Sequence, residues 1–188
     1  KSSSNQNSSI ELMRKQFLGS NNAPIKIKEF FSLTCGHCSN FHIKTLPQLK
    51  KKYIDTGKVQ LEFIDYPLDR LAVIAATLAR SIPTTDGYIE AVSILLKKQK
   101  QWAYSKNPLK ELQSIAKLFG ISSKKFNDIS QNIPLMQKIV TKMENESKSF
   151  DINSTPTFIV NNKYKISGAL SFKDFEKELL KSINAKKS

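Results

Sequence analysis

The only two cysteines of this sequence stand three positions apart, as Cys35-Gly36-His37-Cys38. A Cys-x-x-Cys pair at a helix start can carry electrons by cycling between dithiol and disulfide. The thiolate is the reacting species, so the chemistry depends on lowering one thiol pKa. Three features around Cys35 would do so. A helix N-terminus offers unpaired N–H groups and the positive end of its dipole. His37 lies inside the motif and can stabilise a thiolate by charge or hydrogen bond, and Cys38 can donate its S–H. A strongly stabilised thiolate makes the corresponding disulfide oxidising.

The pair has competing uses. A structural disulfide at this spacing closes almost no loop and stabilises little. Zinc would find Cys35, Cys38 and His42, but a structural zinc site takes four ligands. With two cysteines and two histidines in the whole chain, no metal and no other cofactor is expected. His42 reads as an ordinary residue on a helix face.

Two more positions carry chemistry. Ile25-Lys26-Ile27-Lys28-Glu29 alternates strictly, which argues a strand. Its inward face would be Ile25, Ile27, Glu29 and Phe31. A buried Glu29 would have a raised pKa and could carry the proton that Cys38 gains or loses during exchange. The plain alternative is a glutamate on an exposed strand edge. Thr155-Pro156 stands just before a third strand pattern. A cis bond there would expose the Thr155 backbone for pairing with an extended peptide. A trans proline opening a strand is the other reading.

Several elements must position these groups. The motif separates the Ile25 strand from a helical stretch reaching about Tyr53, kinked at Pro47. Asp55-Thr56-Gly57 is turn chemistry, and Val59, Leu61 and Phe63 alternate into a second strand that ends near Asp65. Helical patterns follow over Asp69 to Ser81, Thr85 to about Lys100, Ser122 to Ser130 and Pro134 to Phe150. Another helix is framed by Asn107 as N-cap, Pro108 at its first position and Gly120 past its end. No strand is convincing between Tyr66 and Phe150. Thr157 to Val160 is a strand, Asn161-Asn162 a two-residue turn into Lys163 to Ser167, and Ser171 opens a last helix with Asp174 three residues on.

The order is βαβ, a helical block, then ββα. This is an α/β chain with the thioredoxin arrangement interrupted by an all-helical insertion. The division it implies is a polar N-terminal extension over 1–22, with a short amphipathic helix over Ile10 to Leu18 ending at Gly19. Residues 23–66 form the first half of the thioredoxin unit, 67–150 the insertion and 151–188 the second half. Lys1 to Ser9 is Ser/Asn-rich and reads as a disordered leader or a cut-off stalk.

No apolar run approaches the roughly 18 residues that cross a bilayer, so the chain reads as soluble. Formal net charge is +14, almost all of it lysine, since arginine occurs only at Arg14, Arg70 and Arg80. The lysines are scattered, and no aromatic-basic array marks a phosphate-tracking groove. A solvated lysine coat is the favoured reading, and no nucleic-acid partner is expected. Trp102 and Tyr104 read as core or insertion-surface aromatics.

Ile27-Lys28-Glu29-Phe30-Phe31-Ser32-Leu33-Thr34-Cys35-Gly36-His37-Cys38, with Thr155-Pro156-Thr157-Phe158-Ile159-Val160-Asn161-Asn162 and Ser167-Gly168-Ala169, resembles the DsbA-like family of bacterial thiol–disulfide oxidoreductases. The motifs fall in the first and last thirds of the chain. The resemblance implies a thioredoxin fold with a helical cap, Cys35 as exposed nucleophile and Cys38 as buried partner. It supports Glu29 as the buried acid and Pro156 as cis, and marks Gly36, Thr155 and Pro156 as the substrate-binding positions. It implies a periplasmic or otherwise exported protein whose signal peptide has been removed. Cysteine-containing unfolded or misfolded polypeptides would be its substrates and a membrane protein its redox partner. This chain would be a monomer, with oligomerisation open to a longer N-terminal segment.

Two residues depart from the family pattern. Gly36 stands where the best-studied oxidases have proline, so oxidising strength does not carry over. Thr155 is frequent among isomerases and less typical of the dedicated oxidase. Oxidase and isomerase both stay open, beside a basic binding or chaperone-like module in which the cysteines are structural or metal-binding.

Overall fold

In the computed structural model, which describes residues 9–185, a five-stranded sheet runs in the order β1-β3-β2-β4-β5. The strands are β1 (Gln16–Leu18), β2 (Ile25–Phe31), β3 (Val59–Asp65), β4 (Thr157–Val160) and β5 (Tyr164–Ser167). β2 and β3 are parallel, which requires a crossover, and the helical run over 36–54 (α1) supplies it. The other neighbours are antiparallel. Asn161 and Asn162 both take positive φ, and the Lys163 N–H returns to the Val160 carbonyl at 3.1 Å, closing the two-residue hairpin.

The N-terminal segment departs from the expected helix. The helix expected from Ile10 to Leu18 is helical only over 9–12, and Gln16–Leu18 is a strand. β1 lies antiparallel against β3, with Gln16 opposite Phe63. Without it, β3 would present an open row of N–H and C=O groups, a liability that outweighs the weak helical periodicity of three residues. Gly19 belongs to the turn after this strand: it has φ +103, and a Cβ there would meet the Val59 carbonyl at 2.7 Å. The expected polar leader lies outside the described residues apart from Ser9.

Between β3 and β4 the described chain is helical: α2 (Arg70–Arg80), α3 (Thr85–Lys97), α4 (Gln99–Trp102), α5 (Pro108–Ala116), α6 (Ser123–Ile129) and α7 (Ile133–Phe150). Their starts follow from local chemistry. Asp69, Thr84, Asn107, Ser122 and Asn132 each accept a first-turn N–H through the side chain. α8 (Phe172–Asn184) is capped in the same way by Ser171.

The larger core gathers Phe31, Phe41, Phe63, Phe158 and Phe175 with the apolar faces of the helices. A smaller cluster of Phe30, Ile64, Ile152 and Ile159 fills the other side of the sheet, where Phe150 of α7 meets Phe30 edge-on. Both faces are covered, which accounts for β3 being buried at all seven positions.

Candidate active site

The site begins with a cap. Cys35 has extended backbone angles and occupies the N-cap of α1, so its side chain sits where Ser, Thr or Asp usually accepts a first-turn N–H. Its sulfur accepts from the Cys38 N–H at 3.4 Å. Helical geometry then carries Cys38 inward: Cys38, Phe41, His42, Thr45 and Leu49 form one buried stripe. The run passes through two π segments, Phe41–Thr45 and Lys50–Ile54, on either side of the turn containing Pro47.

The two sulfurs are free thiols with unequal surroundings. Cys35 keeps 7 % of its surface accessible and Cys38 none. A hydrogen bond from the Cys38 side chain holds the Cys35 thiol down at about 5, from an ordinary 9.0, against the opposing effect of burial. Thr155 and the backbone N–H groups of Cys38 and His37 add smaller contributions in the same direction. Cys38 is displaced the other way: burial pushes its thiol far up, and the hydrogen bond and charge of Cys35 and the charge of Glu29 reinforce this. Its sulfur accepts one backbone N–H, from Ser32 at 3.5 Å.

Below the cysteines, Glu29 is fully buried on β2 between Phe63 and Phe158 of the neighbouring strands. His42 Nε2 lies 2.5 and 3.1 Å from the two carboxylate oxygens of Glu29. The imidazole sits among the rings of Phe31, Phe41 and Phe63, at centroid distances of 6.0, 5.8 and 5.8 Å. His42 thus serves the buried acid and not the surface. The signals were its position four residues after Cys38 on the same stripe and the need of a buried acid for a partner.

The Thr155-Pro156 bond is cis. The Thr155 carbonyl accepts from the Cys35 thiol at 3.6 Å, and the Thr155 hydroxyl is buried with no hydrogen bond of ordinary geometry among the described residues. His37 is exposed, and its imidazole makes no hydrogen bond among the described residues, so its part in holding the thiolate runs through its backbone. Gly36 is open on its outer side, where an added Cβ would touch only the Tyr104 hydroxyl at 3.5 Å and Gln99 at 4.0 Å.

A further positioning group comes from the helical block. Gln99, buried in α4, donates from Nε2 to the carbonyls of Leu33 at 2.8 Å and Cys35 at 2.9 Å. The Ser39 hydroxyl donates to the Leu96 carbonyl at 2.7 Å. No sequence spacing announces Gln99, because it lies more than sixty residues away and acts only through the fold. No group of three or more His, Cys, Asp or Glu that could hold a metal occurs among the described residues.

A family model described as Thioredoxin matches residues 12–181. The solved structure of Wolbachia pipientis alpha-DsbA1 superposes with a TM-score of 0.81 at 31% identity, over 90% of this chain and 90% of that one. The chain belongs to the DsbA-like thioredoxin family. Among curated proteins it is 32% identical over 144 residues to an inferred protein-disulfide oxidoreductase of Rickettsia conorii, covering 77% of this chain and 52% of that protein. It therefore spans about half the length of that relative. It is 24% identical over 162 residues to the thiol:disulfide interchange protein DsbA of Haemophilus influenzae, covering 84% and 77% of the two chains. In DsbA-like terms the βαβ and ββα portions are the thioredoxin layers, and α2 to α7 are the helices inserted between them.

Proposed function

We propose that the protein is a thiol–disulfide oxidoreductase acting on cysteines of polypeptide substrates through Cys35 and Cys38. The observation that carries this reading is the opposed displacement of the two thiols: Cys35 is brought down to about 5 at a helix N-cap, while its buried neighbour is pushed up. One sulfur is thereby a good nucleophile and leaving group near neutral pH, and the other is suited to closing the pair behind it.

As an oxidant, the Cys35–Cys38 disulfide is attacked at Cys35 by a substrate thiolate. The Cys35–Cys38 bond breaks, Cys38 leaves and takes a proton, and a mixed disulfide remains. A second substrate thiolate attacks the substrate sulfur and releases Cys35 as its stabilised thiolate. The substrate is oxidised to a disulfide and the protein is reduced to the dithiol. As an isomerase, the Cys35 thiolate attacks a wrong disulfide and leaves again once the substrate has reshuffled.

Glu29 is the proton reservoir for Cys38 in this reading, and His42 holds its carboxylate. Gly36, Thr155 and Pro156 line the approach to Cys35, with the Thr155 carbonyl against the sulfur supporting their role in seating an extended substrate. His37 assists through its backbone N–H. The substrates are unfolded or misfolded cysteine-containing polypeptides in an exported, oxidising compartment, with a membrane protein as redox partner. Among the described residues no helix is long and apolar enough to cross a membrane.

The test is turnover on one disulfide-containing protein supplied fully reduced and scrambled, with wild type and Cys35→Ala side by side. Oxidation of the reduced form alone assigns an oxidase, and rescue of the scrambled form an isomerase. Activity surviving in Cys35→Ala would overturn the assignment of the nucleophile.

A further inference from the structure

Beside the motif a groove of about 630 Å³ runs from Gly36 between α1 and the junction of α3 with α4. Its walls include Ile43, 45% exposed, and Tyr104, 63% exposed, so two large apolar side chains face solvent beside the motif. Four lysines line it: Lys44 from α1, and Lys97, Lys98 and Lys100 from the α3–α4 junction. No aspartate or glutamate lines it, and none of the four lysines makes an ion pair among the described residues. The larger groove along α7 differs, since Lys28 is there paired with Glu146 at 3.4 Å. The positive charge in the groove thus has no ion-pair partner among the described residues, and it starts at Gly36, the residue that follows Cys35.

We propose that this groove selects substrate segments carrying aspartate or glutamate beside the reacting cysteine, with Ile43 and Tyr104 receiving the chain and the four lysines its carboxylates. The proposal rests on the redox reading above and adds a substrate class to it. Converging like charges in a concave surface raise the local concentration of an opposite charge, and the effect fades with salt.

The experiment uses protein with the Cys35–Cys38 disulfide formed, in stoichiometric reaction with dithiol peptides of one length. Their two cysteines are flanked by acidic, neutral or basic residues. Each reaction converts the peptide dithiol to a disulfide and the protein disulfide to a dithiol, so no other oxidant is needed. At low ionic strength the acidic peptide is expected to react about 10-fold faster than the neutral one and the basic peptide slower, with the gap closing in high salt. In Lys97→Ser/Lys98→Ser/Lys100→Ser the acidic-to-neutral ratio is expected to fall toward one. Lys124→Ser/Lys125→Ser/Lys173→Ser removes the same charge from exposed positions elsewhere and is expected to keep the wild-type ratio.

Equal rates for the three peptides overturn the proposal, as does an equal loss of preference in both triple variants, which would assign it to net charge. Slowing of the acidic-peptide reaction by phosphatidylglycerol vesicles, where a cysteine-free polyglutamate peptide does not slow it, would assign the groove to a membrane surface and overturn it too. Oxidation of dithiothreitol separates the two readings. If wild type oxidises dithiothreitol but ignores peptide charge, the groove assignment fails and the redox reading stands. If it oxidises neither dithiothreitol nor any peptide, the redox reading itself has failed.

Discussion

Two buried acid–base pairs lie on the same face of one sheet, and they differ in almost everything except their chemistry class. Glu29 of β2 meets His42 of α1, and Asp65 of β3 meets Arg80 of α2 at 2.6 Å. Glu29 is level with Phe63, and Asp65 is two residues further along the same strand, so both acids point the same way. Arg80 is fully buried, and burial works against its charge, but Asp65 and Tyr88 outweigh that and hold the guanidinium above its ordinary value. It also donates to the carbonyls of Leu12 and Arg14 at 3.4 and 3.0 Å, and so ties the segment before β1 to α2. That pair is a fixed charge used as a clamp. The Glu29–His42 pair has no other side-chain hydrogen-bond partner among the described residues, and the charge of Glu29 reaches Cys38. Carbonyls beside the Asp65–Arg80 pair make it a structural clamp, whereas in the function proposed above the thiol beside Glu29–His42 makes that pair a proton reservoir.

The largest stability effect should come from breaking the clamp. Arg80→Leu leaves Asp65 buried without its partner and is expected to cost about 3–5 kcal/mol in urea unfolding, while exchange per folded molecule stays near wild type. A loss below about 1 kcal/mol would remove the distinction between the pairs.

Glu29→Gln keeps the shape and removes the carboxyl proposed above as the proton reservoir. Disulfide exchange is expected to slow by roughly 100-fold in steps that move a proton at Cys38, with alkylation of Cys35 unaffected. Exchange at the wild-type rate would make Glu29 as structural as Asp65.

The comparison extends to the sulfurs through pH. Alkylation of reduced protein at Cys35 should rise through about pH 5 and level off by pH 7, with Cys38 in a Cys35→Ser variant unreactive over that range. A thiol whose folded pKa lies near 5 and whose unfolded value lies near 9.0 stabilises the folded dithiol fully above the unfolded value, and that stability is lost as pH falls through about 5. Unfolding midpoints of reduced against oxidised protein should therefore diverge in favour of the reduced form between pH 5 and 9, and parallel midpoints would contradict a stabilised thiolate.

The smallest effect tests the reach of the helical block. Gln99→Ala removes the donor to Leu33 and Cys35, but Cys35 keeps a second partner in the Ser39 N–H at 3.1 Å. A loss of about 1 kcal/mol is expected, together with a change in the alkylation rate of Cys35 that a purely structural contact would not produce.

Much of this was legible in local pattern. Alternation placed β2 and β3, the Asn-Asn pair placed the hairpin, and capping residues placed the starts of α5 and α8, because each signal is written within a few neighbouring residues. Cys35 and Cys38 were legible for the same reason: a Cys-x-x-Cys pair at a strand-to-helix joint contains its own geometry. The burial of Glu29 was half legible, from its phase with Ile27.

The remainder depended on contacts across long sequence separations. Gln16–Leu18 became a strand only because β3 offered an edge to cover. His42 became the partner of Glu29 only when α1 was laid over β2, and Gln99 reached the motif only when the helical block closed on it. Lys44 came to share one groove with Lys97, Lys98 and Lys100 for the same reason. Short-range periodicity and capping determine which residues make an element and which face it hides. What each hidden face meets is decided by packing between elements, where burial penalises an unpaired charge heavily enough to choose its partner.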